Sequence, residues 1–477
     1  MHPVVRVATL SMALSMALPA TAETAVAEKA TRVPDATVKQ AVALRDKALA
    51  DPTGWNVVES LTTEVGQRLA GSPADARAVA WAKAKFKALG FDRVWTQDVT
   101  FPKWERRGEA ASVLGEHSQK LFVTALGGSP GGTVEGEVVR FDSLDALKAA
   151  PAGSLAGKIA FVDVVMERAK DGHGYGMGSR IRGTGPSAAI RAGASAYVMR
   201  PAGTDGWRNP HTGMTRFEKG LTPIPSASLT NTDADQLARL VKLGPTRIRL
   251  ALDCGYNGTY TSQNVIGEIT GRTKPKEIVA IGGHLDSWDL GTGAIDDGAG
   301  VAVTMAAGHL IAGMKQHPSR TVRVIAFANE EQGLWGGRVY AESQKNDIAN
   351  QQVVAESDFG AGTIYRFGGH WGTQAAPAMQ QIADVLAPLG VAYTPGEGQA
   401  ESEMELMQGQ GVAAAALDHD GVDYFDLHHT PNDTLDKIDP KQLAQNVAVY
   451  AAFTWMAANA DGGFGSDPKA AWIDKGN

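Results

Sequence analysis

Cysteine is almost absent from this chain: its 477 residues include one, Cys254. A lone thiol closes no intramolecular disulfide, so no disulfide framework holds the fold. Cys254 ends a strand-like alternation, IRLALDCGYNG, and reads as a half-buried structural thiol rather than a nucleophile. Long basic runs are also absent and the net charge of −7 is mild, which argues against nucleic acid as a partner. After the N-terminal leader no stretch is apolar and long enough to span a membrane. No internal repeat or low-complexity tract is visible. Hydrophobic residues at 43% and charged residues at 20% describe a soluble, globular chain.

The length exceeds one ordinary core, so two domains, or one domain with an insertion, are expected. The start, MHPVVRVATLSMALSMALPATAETA, has a short basic head, an apolar run and the small-residue pattern Ala20-Thr21-Ala22. This predicts a signal peptide over 1–22 and a secreted or periplasmic protein. Residues 23–109 are mainly helical at first. In GSPADARAVAWAKAKFKALG, Ser72 caps, Pro73 suits the first turn, Asp75 completes a capping box and Gly90 stops the helix. FDRVWTQDVTF then reads as a strand. Between 110 and 262 short strands such as KIAFVDVV and ASAYVMR alternate with glycine- and proline-rich turns and brief helices such as GPSAAIRAGA. This predicts a smaller, strand-rich inserted domain. From 263 to 477, near-continuous apolar runs (EIVAIGG, TVRVIAFAN, VAAAALD) alternate with longer helices. Such runs suit strands covered on both faces, so the predicted fold is α/β, with a mixed, mostly parallel sheet between helices.

The polar residues fall at the ends of those runs. His284 and Asp286 follow EIVAIGG, Glu330 and Glu331 follow TVRVIAFAN, and Asp358 closes VVAES. In open α/β sheets, ligands gather beyond the carboxyl ends of the strands, where segments distant in sequence converge. His, Asp and Glu are the nitrogen and oxygen donors that zinc accepts. A pair of zinc ions about 3.5–4 Å apart needs a carboxylate between them, and Asp296, in the glycine-rich loop GTGAIDDGAG, suits that bridge. His284 would bind one ion, with Asp286 orienting its ring from behind. One of Glu330 and Glu331 would bind metal, and the other would take a proton from the attacking water. Each fragment alone is weak: DDGAG is also an ordinary helix start, and EE an ordinary solvated turn. Their order and common placement carry the reading.

HLDSWD…AIDDGAG, ANEEQGLWGG, ESD and HHTPNDTL resemble the motifs of the co-catalytic zinc peptidases of family M28, and within it the plasma glutamate carboxypeptidase (carboxypeptidase Q) branch. The likeness spans 264–440. The insert resembles the protease-associated domain of that branch. The resemblance implies two Zn2+, with His284, Asp296, Glu331, Asp358 and His429 as ligands and Glu330 as the general base. His428 competes with His429 as a ligand. It stands where some relatives carry a tyrosine that assists the oxyanion, so the oxyanion donor is left open. The implied substrate is a dipeptide or short peptide, the implied class an exopeptidase, and the implied assembly a homodimer. A non-catalytic binding protein on the same scaffold, or a zinc acyltransferase of the glutaminyl-cyclase kind, are the alternatives.

Other features read as structure. GGSPG, 127–131, fits G-x-S-x-G, but Pro130 follows the serine and offers no N–H to an oxyanion, so a turn is predicted. His309, His317 and His370 stand in no ligand-like motif, and a surface or packing role is expected for each. DGHGYGMGSR, around His173, reads equally as an active-site flap and as a plain loop. By analogy 398–411 lies near the pocket.

Overall fold

The computed structural model describes residues 29–465. The signal peptide expected over 1–22 lies outside them. Among the described residues the strands join in one 14-stranded mixed sheet.

One half of this sheet centres on Lys274–His284, flanked in parallel by Arg320–Phe327 and Gln351–Glu356. Ala414–His419 continues it in parallel, then Ile364–His370 runs antiparallel and Ala392–Pro395 closes the edge. Side chains alternate across the strands. Val279, Ile281, Val322, Val324, Val353 and Ala355 face the helices Ala299–Ala312 and Pro440–Asn459. Ile278, Ala280, Ile325, Phe327 and Val354 face Trp335–Gln344 and Ser402–Gly409. Both faces are therefore dry, which is why these strands carry unbroken apolar runs. The first helix signals read from sequence hold: Pro73–Ala88 begins after Ser72, whose side chain accepts from Asp75 N at 3.3 Å, and Gly90 takes a positive φ of 84°.

The other half is built from Gly132–Phe141, Ile159–Val162, Ala196–Met199 and Ser226–Leu229, with Val123–Ala125 at the edge. It has its own apolar layers, one beneath Asn231–Leu243 and one beneath Tyr175–Arg191. A long antiparallel ribbon, Arg93–Val113 against Arg247–Ile269, runs from one half into the other. The boundaries expected at 110 and 262 fall inside these two continuous strands. Tyr175–Arg191 is longer than the brief helix expected, and it carries Pro186 within it. Part of DGHGYGMGSR is thus the first turns of this helix rather than a loop.

GGSPG is a turn without a nucleophile: Ser129 is buried, its Oγ donates to Pro130 O and accepts from Ser226 N. Cys254 is buried against Ser129 O, and burial pushes its thiol up to about 11, which leaves it inert at neutral pH. No helix of the described residues is long and apolar enough to cross a membrane.

Candidate metal centre

The three parallel strands end side by side, and their carboxyl ends carry His284, the Glu330-Glu331 turn and Asp358. Asp296 enters from Ala294–Gly298, just before the helix Ala299–Ala312, and the peptide between it and Asp297 is cis. His428 and His429 follow the short helix Tyr424–Leu427. Elements spread over 145 residues from His284 to His429 thus meet at one point.

Asp296 divides this centre. Its Oδ1 is 2.9 Å from His284 Nε2, which is itself 3.2 Å from Asp358 Oδ1. Its Oδ2 is 3.2 Å from His429 Nε2, which is 2.9 Å from Glu331 Oε2. The structure therefore brings His284, Asp296, Glu331, Asp358 and His429 together, with a different imidazole and carboxylate on each side of one aspartate. His284, Asp296 and Asp358 place one donor atom each within 4.8 Å of one another, and so do Asp296, His428 and His429. His428 stacks on His429 with ring centroids 3.5 Å apart, and its Nε2 is 3.6 Å from Asp296 Oδ2. His429 is the better placed of the two, because it alone also meets Glu331.

These groups are strongly perturbed. Burial opposes charge on His284, but Asp358, Asp286 and Asp296 outweigh it and hold the imidazole well above its usual value. Burial likewise opposes charge on His429, and Glu331 and Asp296 outweigh it. Asp296 is held well below the carboxylate range, against its burial, by His284, His429 and His428. Burial, reinforced by Asp296, pushes Glu331 up to about 7. Burial and then the neighbouring His429 push His428 well down, leaving it neutral. Glu330 is pushed well above the usual range, chiefly by burial and also by Asp358, Glu331 and Asp296.

This donor set fits divalent cations. Buried carboxylates and imidazoles crowd face to face, and Asp296 Oδ2 lies buried without a well-directed hydrogen bond. Metal ions would replace the imidazole protons and neutralise the carboxylates together.

Behind the donors stands a second set that sequence reasoning reached only in part. Asp286 does orient His284, but through its main-chain oxygen, 3.1 Å from Nδ1. Its carboxylate is 3.6 Å from that nitrogen and instead accepts the Glu330 N–H at 3.0 Å. The Arg68 guanidinium is buried and donates to the main-chain oxygens of Leu285, Thr292 and Gly293. Asp297 accepts from His284 N and Gly300 N, both at 2.9 Å. Asp433 accepts from Ile295 N at 2.6 Å and Asp296 N at 3.2 Å. The strand-rich half also takes part. His429 Nδ1 meets Thr212 O, and His211 links Asp205 to the main-chain oxygen of His428. Glu401 Oε2 accepts from Asp358 N at 2.6 Å, and Ser402 hydrogen-bonds the Asp358 carboxylate. The segment 398–411 thus reaches the centre. HHTPNDTL gave a signal for Asp433; nothing local marked Arg68 or Thr212.

His309 and His317 bind main-chain oxygens away from this centre, at Leu89 and Thr270. His173 is exposed and pairs with Asp171, while Tyr175, two residues on, packs edge-on against His428 at 5.1 Å.

A mostly parallel α/β sheet with buried carboxylates and imidazoles gathered at its strand ends is the arrangement of a metallopeptidase. Residues 264–454 match the sequence profile of Peptidase family M28. Carboxypeptidase Q of Mus musculus is 32% identical over 411 residues, covering 84% of each chain. A solved structure of a peptidase M28 precursor from Shewanella amazonensis SB2B superposes with a TM-score of 0.89 at 48% identity, covering 91% of this chain and 99% of that one. A zinc aminopeptidase from Bacillus subtilis shares the fold, with a TM-score of 0.61 at 20% identity over 84% of this chain and 94% of that one. The chain belongs to peptidase family M28, near its carboxypeptidase Q branch, and is a zinc metallopeptidase.

Proposed function

We propose that the protein is an exported exopeptidase that hydrolyses dipeptides or short peptides at a centre of two zinc ions. The observation that carries this reading is the division of Asp296: one carboxylate oxygen faces His284 and the other faces His429. His284 and Asp358 would hold one ion, Glu331 and His429 the other, and Asp296 both. When bound, such a pair polarises the scissile carbonyl and brings the pKa of a water toward about 7.

The remaining chemistry belongs to side chains. Glu330 is half-buried at the mouth of the site, and its main chain is pinned by Asp286. Its raised pKa matches a group that accepts a proton from the attacking water and passes it to the leaving amine. His428, neutral and beside Asp296, is the nearest imidazole donor for the carbonyl oxygen if it binds no metal. We read residues 1–22 as the export signal, the strand-rich half as a protease-associated insert, and a homodimer as the working assembly.

The test is metal content together with dipeptide hydrolysis, before and after chelation. Two equivalents of zinc and turnover abolished by chelation are expected. Full activity in metal-free protein defeats the proposal. Tight binding of zinc without turnover favours a binding protein on the same scaffold, and ammonia release from an N-terminal glutaminyl peptide favours an acyltransferase.

A further inference from the structure

A cavity of about 660 Å³ opens between the strand-rich half and the turn that carries Glu330 and Glu331. Its wall includes Gly128, Met214, Arg216, Tyr256 and Gln332. That volume suits a small ligand rather than a macromolecule. Its chemistry is specific. Gln332 is 7% exposed, yet among the described residues neither its Oε1 nor its Nε2 has a hydrogen-bond partner. A buried amide left unpaired costs stability unless something else completes it. Arg216 is exposed, and among the described residues its guanidinium makes no hydrogen bond or ion pair.

The main chain that carries that guanidinium is fixed from below. Arg216 N donates to Gly183 O at 3.2 Å, and Thr215 N to Gly127 O at 2.8 Å. The tip reaches the catalytic turn: Arg216 Nη2 lies 3.8 Å from the point a Cβ on Gly333 would occupy. Gly333 N in turn donates to Glu330 O at 2.8 Å. One indole separates the cavity from the metal ligands. Trp288 N donates to Glu331 Oε1, the Trp288 ring is 5.8 Å from that of His429, and its far edge packs against Gly127 beside Met214. The cavity is therefore on the Glu331–His429 flank. The opposite flank, beyond Asp358, is acidic, with Glu401 behind it. A peptide lying across the centre meets buried carboxyl groups at one end and an unpaired guanidinium at the other.

We propose that this cavity is the subsite for the free α-carboxylate of the substrate, read by Arg216 with the amide of Gln332 beside it. The proposal rests on the peptidase reading above and deepens it: the preferred substrate is a dipeptide, or a peptide cut one residue from its C-terminus. A guanidinium is suited to this task because its planar N–H fork matches a carboxylate in two parallel hydrogen bonds. The amide of Gln332 offers a further donor to the carboxylate and an acceptor to the substrate main chain.

Two measurements on the zinc-loaded protein test it. In calorimetric titration, L-leucine binds the native protein, and R216A weakens it by about tenfold or more. R216K retains part of the affinity, and the ratio of L-leucine to L-leucinamide affinity falls toward one in R216A. In kinetics, kcat/KM for a dipeptide exceeds that for its C-terminal amide in the native enzyme, and R216A collapses this preference. A native preference at or below one, or an unchanged affinity ratio in R216A, overturns the proposal. Failure of all peptide turnover with Arg216-dependent leucine binding intact would defeat the peptidase reading while leaving the carboxylate subsite standing.

Discussion

His429 Nδ1 lies 3.2 Å from the main-chain oxygen of Thr212, 217 residues earlier in the chain. Thr212 N returns a hydrogen bond to His429 O at 3.0 Å. The pair fixes the imidazole tautomer, with Nδ1 donating and Nε2 free to face Asp296 and Glu331. The strand-rich half is thus part of the metal centre. Gly213, next in sequence, has φ of +129°, and a Cβ there would lie 2.4 Å from the Arg182 guanidinium. Gly213→Ala should therefore displace the Thr212 carbonyl and weaken one zinc site by about tenfold to a hundredfold. Competition with a chromogenic chelator reads each site separately. Equal, unchanged affinities at both sites would show that this carbonyl does not tune the ligand.

Glu330 and Glu331 are adjacent but face different tasks. Glu331 meets His429 at 2.9 Å, whereas among the described residues Glu330 has no donor-set partner that close and is half-buried. Glu330→Gln should keep both ions and lose turnover by about 10²–10⁴-fold. Glu331→Gln should lose zinc. Metal analysis and kcat on the two variants decide this, and zinc lost from the first but kept by the second reverses the assignment.

The donors were legible because each stands where an apolar run stops. His284 after EIVAIGG and Glu330-Glu331 after TVRVIAFAN announce themselves by placing charge at the end of a dry strand. Their supports were legible only in part. Arg68 sits in an ordinary polar stretch and acquires meaning only when folding lays it against the loop from Leu285 to Gly293. Asp286 looked like a carboxylate partner for His284, yet its main-chain oxygen does that work, and side-chain identity cannot reveal a main-chain contact. The glycines and Pro186 of Tyr175–Arg191 disfavour helix locally, and tertiary burial of Ile181, Ala188 and Ala189 overrides them.

Arg68 carries the next expectation. Its guanidinium is wholly buried and spans three carbonyl oxygens of the metal loop, at 2.5, 2.7 and 2.8 Å. Hydrogen bonds from a charged group contribute about 1.5–3 kcal/mol each, and the oxygens would be left unpaired after removal. Arg68→Met should lower stability by about 3 kcal/mol or more in urea unfolding. Arg68→Lys should recover little, because one ammonium cannot span the same fork. A lysine variant with native stability and native zinc affinity would show that charge alone matters here.

His419 predicts a pH dependence away from the metal centre. It closes the strand Ala414–His419, is 0% exposed, and among the described residues neither ring nitrogen has a hydrogen-bond partner. Burial pushes its imidazole down from about 6.5 to about 3. Above pH 6.5 the ring is neutral in both folded and unfolded chains, so it adds no pH dependence. Below 6.5 the unfolded chain binds a proton that the folded chain refuses, so stability falls with pH by about 1.4 kcal/mol per unit until the folded value is reached. His419→Leu removes the titrating group and keeps the site apolar. Urea unfolding of chelator-treated protein, with no metal release to intrude, should show the variant gaining about 2 kcal/mol on the native chain between pH 6.5 and 5.0. Parallel stability curves for the two proteins over that range would mean that the folded chain protonates His419 after all.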